Sequence, residues 1–117
     1  MKKSYSIGLD IEKRVIKYLE NKGYNILSHR YKTKYGEIDV IIENKSQNLL
    51  IACEVKYRED ISDAHYAISK RQINRISDSL QQFLTENQSF AHYDLRVDAI
   101  LCNNIKVRII ENITLDL

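Results

Sequence analysis

Two strand-like apolar runs, Glu37–Glu43 and Leu49–Tyr57, stand close together in this chain with the polar stretch Asn44–Asn48 between them. Runs of this length, rich in Ile, Val and Leu and joined by so short a loop, form a hairpin. Each run also carries charge within its apolar body. Asp39 sits in Gly36-Glu37-Ile38-Asp39-Val40-Ile41-Ile42, and Glu54 and Lys56 sit in Leu49-Leu50-Ile51-Ala52-Cys53-Glu54-Val55-Lys56. A buried charge without a partner is costly, so these charges must find one another, or a metal.

The remaining elements follow from periodicity. Ile11, Val15, Tyr18 and Leu19 fall at helical spacing and predict a first helix over Leu9–Lys22, with Gly23 just past its end. Tyr24–Thr33 reads as a strand, and Tyr35-Gly36 as a turn. Ile73, Ile76, Leu80, Phe83 and Leu84 make the buried stripe of a second helix over Lys70–Thr85. The stretch Arg58–Ser69 fits either a loop or the start of that helix. Asp94–Leu101 and Ile105–Ile110 read as the last strands, turning at Asn103-Asn104. The order is helix, three strands, helix, two strands, which predicts an α/β fold with the sheet flanked by helices. At 117 residues and 44% hydrophobic content, residues 1–117 make a single domain with one modest core.

Strand alternation brings the charges together. Glu54 and Lys56 point to one side of their strand, while Leu49, Ile51, Cys53 and Val55 point to the other and pack the core. On the preceding strand Asp39 shares a face with Ile41, opposite Ile38, Val40 and Ile42. Antiparallel pairing then puts Asp39 beside Glu54. Glu12 borders Ile16 and Leu19 on the first helix and leans towards the sheet. Asp39 and Glu54, with a backbone carbonyl near Val55, offer hard oxygen ligands suited to Mg²⁺ or Mn²⁺, and Glu12 completes the shell, directly or through water. Such a metal polarises a scissile phosphate and lowers the pKa of a water. Lys56 orients or deprotonates that water, or offsets charge on the transition state. Taken singly, each of these residues also fits an ordinary water-facing surface; the joint arrangement carries the chemistry.

Charged residues make up 29% of the chain and the net charge is only +2, so a nucleic-acid footprint must come from local patches. His29-Arg30-Tyr31-Lys32-Thr33-Lys34 is the densest basic run, and alternation puts Arg30, Lys32 and Lys34 on one face as a stripe of phosphate contacts. Arg58 follows the Glu-x-Lys segment directly. Lys70, Arg71 and Arg75 open the second helix, and Lys13, Arg14 and Lys17 lie on the first. Tyr31, Tyr35 and Tyr57 can stack on unpaired bases or pack the rim. Cys53 and Cys102 read as buried small hydrophobes in a reducing compartment, which suggests the cytoplasm. His29, His65 and His92 lack the paired spacing of a metal site. Asp98 reads as structural, paired with Arg96 or a backbone amide. No apolar run approaches the roughly 20 residues that span a bilayer. The basic Met1–Ser6 is followed by Ile7-Gly8-Leu9-Asp10 rather than by the apolar stretch of a secretory leader.

An Asp on one strand and Asp/Glu-x-Lys on the next resembles the PD-(D/E)xK, or restriction-endonuclease-like, nuclease superfamily. More closely, the chain is similar to the YraN-like family of bacterial predicted endonucleases, which are similar in turn to archaeal-type Holliday junction resolvases. The resemblance runs through Gly8, Glu12, Tyr18-Leu19, Gly23, Gly36-Glu37-Ile38-Asp39-Val40-Ile41, Glu54-Val55-Lys56-Tyr57-Arg58, Phe83-Leu84 and Arg96-Val97-Asp98-Ala99-Ile100. It departs at Arg30, where the family usually has Asn, at Lys32, where it has Arg, and at Gln72, where it tends to have Lys. Lys70 and Arg71 are neighbours of that position. Related nucleases use a polar helix residue near the metal, a role Gln72 could take. The resemblance implies a restriction-endonuclease-like core with a central mixed β-sheet of about five strands. It also implies a Mg²⁺- or Mn²⁺-dependent endonuclease on branched or structured DNA, with Arg30, Lys32, Lys34, Arg58, Lys70 and Gln72 gripping the nucleic acid. These residues do not separate DNA from RNA. A homodimer would place two sites on opposed strands of a junction. The alternatives are a non-catalytic nucleic-acid-binding module on the same fold, or a protein-interaction domain whose strand charges face water.

Overall fold

The computed structural model describes the backbone of residues 2–62 and 68–113, with side chains from Ile7 onward in those segments. The elements are α1 (Lys2–Asn21), β1 (Asn25–Thr33), β2 (Gly36–Asn44), β3 (Leu49–Tyr57), α2 (Lys70–Glu86), β4 (Asp94–Cys102) and β5 (Val107–Ile110). Single 3₁₀ turns at Lys45–Gln47 and Gln88–Phe90 join β2 to β3 and α2 to β4. The strands form one sheet in the order β1-β2-β3-β4-β5. The β1/β2, β2/β3 and β4/β5 pairs are antiparallel, and β3/β4 is parallel. A parallel pair needs a long crossover, and the segment containing α2 supplies it. The result is an α/β fold, a mixed five-stranded sheet flanked by two helices, compatible with a restriction-endonuclease-like core.

The sheet is buried on both faces. Under α1, Val15 and Leu19 pack on Val40, Ile42, Ile51, Cys53 and Ile100. Under α2, Ile76, Leu80 and Phe83 pack on Ile38, Ile41, Leu50, Ala52 and Val97. This corrects the one-sided reading of β3: Leu50 and Ala52, on the same face as Glu54, are as buried as Ile51. A central strand covered by helices on both sides reads as a continuous apolar run, which is how Leu49–Cys53 is written.

The second correction concerns Ile38. Alternation from Val40 puts it under α1, yet it joins Ile41 under α2. The pleat of β2 is therefore interrupted between them, at Asp39. Beside it, Arg30 of β1 has φ +57°, so β1 is irregular at the same level.

Helix ends are set by local chemistry. Gly23 has φ +94°, its N–H donates to the Glu20 carbonyl (2.9 Å), and Tyr24 N–H donates to the Leu19 carbonyl (3.2 Å). This pair of bonds closes α1 and suits glycine. Ser69 caps α2 by accepting the Gln72 N–H (3.1 Å). α1 begins at Lys2, earlier than the expected Leu9. β5 begins at Val107, which leaves Ile105 in the turn and 84% exposed. His65, and residues 63–67 of the stretch left open between loop and helix, lie outside the described residues.

Candidate active site

The β2/β3 ladder runs from Asn44↔Leu49 to Val40↔Cys53 and stops there. In the same register the next rung would join Asp39 to Glu54. Instead the Val55 N–H donates to Asp39 Oδ2 at 2.8 Å, so a side chain takes over where the backbone pairing ends. Glu54 meanwhile stays in register with Ala99 of β4. The strands thus fork at the carboxyl end of β3 with an acidic residue on each branch.

Glu54 is buried, and its Oε1 has two partners. Lys56 Nζ, two residues on and on the same face, is 3.4 Å away, and Gln72 Nε2 from the first turns of α2 donates at 3.2 Å. The alternation argument for Glu54 and Lys56 holds in this geometry. Gln72, expected either at the nucleic acid or as a polar helix residue near the metal, stands against Glu54.

Burial, and then the neighbouring Glu54 carboxylate, push the Asp39 carboxyl up to about 7, against the opposing pull of the Val55 amide; Glu12 and Glu37 add to the rise. Burial raises Glu54 as well, while Lys56 and a hydrogen bond from Asp39 oppose it. Two neighbouring carboxyl groups resist ionising together, so Asp39 and Glu54 titrate as a pair.

Glu12 is buried and leans onto β1, as its place on the helix suggested. Its Oε1 lies 2.7 Å from His29 Nε2 and 2.9 Å from Arg30 Nε, and its Oε2 is 3.3 Å from Arg30 Nη2. Sequence reasoning put Arg30 in an outward stripe with Lys32 and Lys34. The positive φ at Arg30 breaks that alternation, and its guanidinium clamps Glu12. His29, read as an ordinary histidine, is the other half of the clamp. Among the described residues no group of three or more His, Cys, Asp or Glu side chains is disposed to hold a metal, so the expected three-carboxylate shell is not assembled. The donor set that does fit a hard cation is the pair Asp39 and Glu54: two oxygen donors, mutually repelling, with less positive charge facing them than their own negative charge demands.

Lys32, Lys34, Arg58 and Lys70 are exposed. Lys34 Nζ lies 5.2 Å from the centre of the Tyr35 ring. Arg58 Nη1 donates to the Tyr57 carbonyl at 2.7 Å. Tyr31 packs edge-on against Phe83 and bonds Glu86, so it belongs to the rim of the core.

Asp98 is 2% exposed and takes both proposed partners at once: a fork from Arg96 (2.9 and 3.0 Å) and the Asn112 N–H (2.9 Å). Cys53 and Cys102 are free and buried. Two buried polar residues escaped the sequence reading. Glu43 accepts from Asn25 and Tyr93, and Ser79 meets Thr33 Oγ1 at 2.8 Å. Their partners are far away in sequence, and no local signal points to them. No helix among the described residues is long and apolar enough to cross a membrane.

Residues 11–102 match the sequence model described as "Uncharacterised protein family UPF0102". A UPF0102 protein of Bradyrhizobium diazoefficiens is 41% identical over 98 residues, covering 84% of this chain and 72% of the relative. One from Rhodopseudomonas palustris strain BisB18 is 41% identical over 84% of this chain and 71% of its own length. One from Nitrobacter winogradskyi is 38% identical over 84% and 81%. The matched region contains α1 from Ile11, the forked hairpin and α2, and with it Glu12, Asp39, Glu54, Lys56 and Gln72; the chain belongs to the UPF0102, or YraN, family.

Proposed function

We propose that this protein is a metal-dependent endonuclease that hydrolyses phosphodiester bonds in DNA, with branched or structured DNA as its substrate class. The observation that carries the reading is the Asp39–Glu54 pair at the hairpin fork, a half-buried and a buried carboxyl brought together where the β2/β3 ladder ends, with Lys56 alongside. Such a pair is unfavourable for folding, which is the usual mark of a working site. Asp39 and Glu54 would hold Mg²⁺ or Mn²⁺. The bound cation supplies Lewis acidity at the scissile phosphate. Lys56 carries a positive charge to the same place and offsets charge building on the phosphate oxygens. Gln72 fixes the rotamer of Glu54. Glu12, already matched by Arg30 and His29, acts on the pair through space rather than as a direct ligand. Lys32, Lys34, Arg58 and Lys70 supply phosphate contacts around the fork.

One observation favours the second reading, a non-catalytic binding module: Glu12 and Glu54 each have cationic or amide partners within the chain. Metal separates the two. On the nuclease reading Asp39→Ala and Glu54→Ala abolish metal-dependent cutting while the far-UV circular dichroism stays that of the parent. Cutting that survives both substitutions removes this mechanism, and equal DNA binding with and without EDTA in the absence of any cutting establishes the binding module.

A further inference from the structure

Polar residues of α1 reach towards both edges of the sheet. Glu12 turns to β1. Arg14, Lys17, Tyr18 and Asn21, spaced at i, i+3, i+4 and i+7, share the other side and face the β4–β5 hairpin. Between them runs an open groove of about 980 Å³, with Arg14 and Lys17 on one wall and Lys106 and Arg108 on the other. Its described lining holds no acidic residue. Among the described residues none of the four cations pairs with a carboxylate. Arg108 donates to the Ile61 and Ser62 carbonyls (2.9 and 3.2 Å), which fixes its position without neutralising it.

Four cations meet here in a chain whose net charge is +2, so the groove holds a local excess of positive charge that the rest of the chain must offset. Like charges gathered from two elements repel unless an anion lies between them. An open groove of this volume, with cations on both walls, suits a row of phosphates better than a single one. The Tyr18 ring and the exposed Ile105 add uncharged surface beside it, suited to sugars and bases. We infer that the groove between α1 and the β4–β5 hairpin binds the phosphate backbone of a nucleic acid strand. It lies on the opposite side of α1 from Glu12, so it is a contact additional to the rim of the carboxylate fork. Its binding needs neither the metal nor Asp39 and Glu54, and it shares with the nuclease reading only the identity of the polymer.

The test is fluorescence anisotropy of an end-labelled single strand and a labelled four-way junction, both in EDTA and across a salt series. Lys17 and Lys106 are exposed, so Lys17→Gln/Lys106→Gln should fold as the parent does, with circular dichroism as the check. The double variant is expected to bind about tenfold more weakly, and its log–log salt slope to fall by roughly 1.4–1.8, the loss of two phosphate contacts. Lys17→Glu/Lys106→Glu should lose more. Unchanged affinity and slope in both double variants overturn the inference. Competition by polyglutamate as effective as by unlabelled DNA overturns it in favour of an acidic protein segment. Weaker binding in the double variants, with no cleavage by the parent, keeps the groove and removes the nuclease; the reverse pattern keeps the nuclease and removes the groove.

Discussion

Replacing Asp39 by Asn should make the protein more stable above neutral pH and, on the nuclease reading, abolish cutting. Asn is close to the protonated form of Asp39. Its Oδ1 can still accept the Val55 N–H, and its amide can donate towards Glu54, as the protonated acid does. In the parent the Asp39 carboxyl is raised from 3.8 to about 7. Below about pH 4 folded and unfolded chains both hold the proton, and Asp39 contributes no pH dependence. Between about 4 and 7 the unfolded chain has lost it and the folded chain keeps it, so stability falls as pH rises. Above 7 the loss is complete. At 1.36 kcal/mol per pH unit it reaches roughly 4 kcal/mol, an upper limit because Glu54 titrates with Asp39. Asp39→Asn has no such loss. Urea denaturation in EDTA at pH 5 and pH 8 measures both proteins, and the variant's advantage should grow by up to about 2.7 kcal/mol between them, since only the two units from pH 5 to 7 contribute. Adding Mg²⁺ at pH 8 should narrow the gap, since a cation held by Asp39 and Glu54 stabilises the parent alone. A variant less stable than the parent at pH 8, or an advantage independent of pH, would refute the account of the pair.

Three further predictions rest on other parts of the molecule. Arg30→Ala leaves Glu12 buried with only His29 facing it and should cost about 2–4 kcal/mol in urea denaturation; adding Glu12→Gln should recover much of that loss, and a purely additive double variant would contradict the clamp. Asp98→Ala strips Arg96 and the Asn112 amide of their shared acceptor and should cost about 3–5 kcal/mol by the same assay, so a change under about 1 kcal/mol would contradict its structural role. Gly23→Ala should cost about 1–2 kcal/mol through backbone strain alone, because φ is +94° and nothing lies within 4 Å of the added Cβ; a thermal melt that does not move would show that the turn adapts.

Much of the architecture could be read from the chain because its elements obey local rules. β3 matches its expected bounds at both ends, and α2 differs by one residue at its end, since a polar hairpin loop precedes the one and a regular apolar stripe runs along the other. Asp98 could be paired from sequence because Arg96 is two residues away on the same face. The errors fall where a local rule was stretched over an irregular backbone. Alternation misplaced Ile38 because the pleat breaks at Asp39. It set Arg30 facing outwards because nothing in the sequence announces a positive φ at an arginine. The second buried face of β3 was missed because Glu54 and Lys56 were taken to mark that whole face as polar, whereas α2 covers it as far as Ala52. At the candidate site the contact of Glu54 with Lys56 was legible from strand alternation, and the approach of Asp39 to Glu54 from antiparallel pairing of the hairpin. The Glu12 clamp and the contact from Gln72 depend on how the helices settle on the sheet, which no spacing specifies.

We propose the Asp39–Glu54 pair as a metal-dependent nuclease centre. The measurement that tests it most directly is cleavage by the parent, with Asp39→Asn run beside it, in Mg²⁺ or Mn²⁺. The substrates are a single strand, a duplex, a flap, a four-way junction and a structured RNA. The account predicts cutting of a branched or structured DNA that requires the metal and disappears in a folded Asp39→Asn variant. No cutting of any substrate, or cutting that the variant retains, would contradict it.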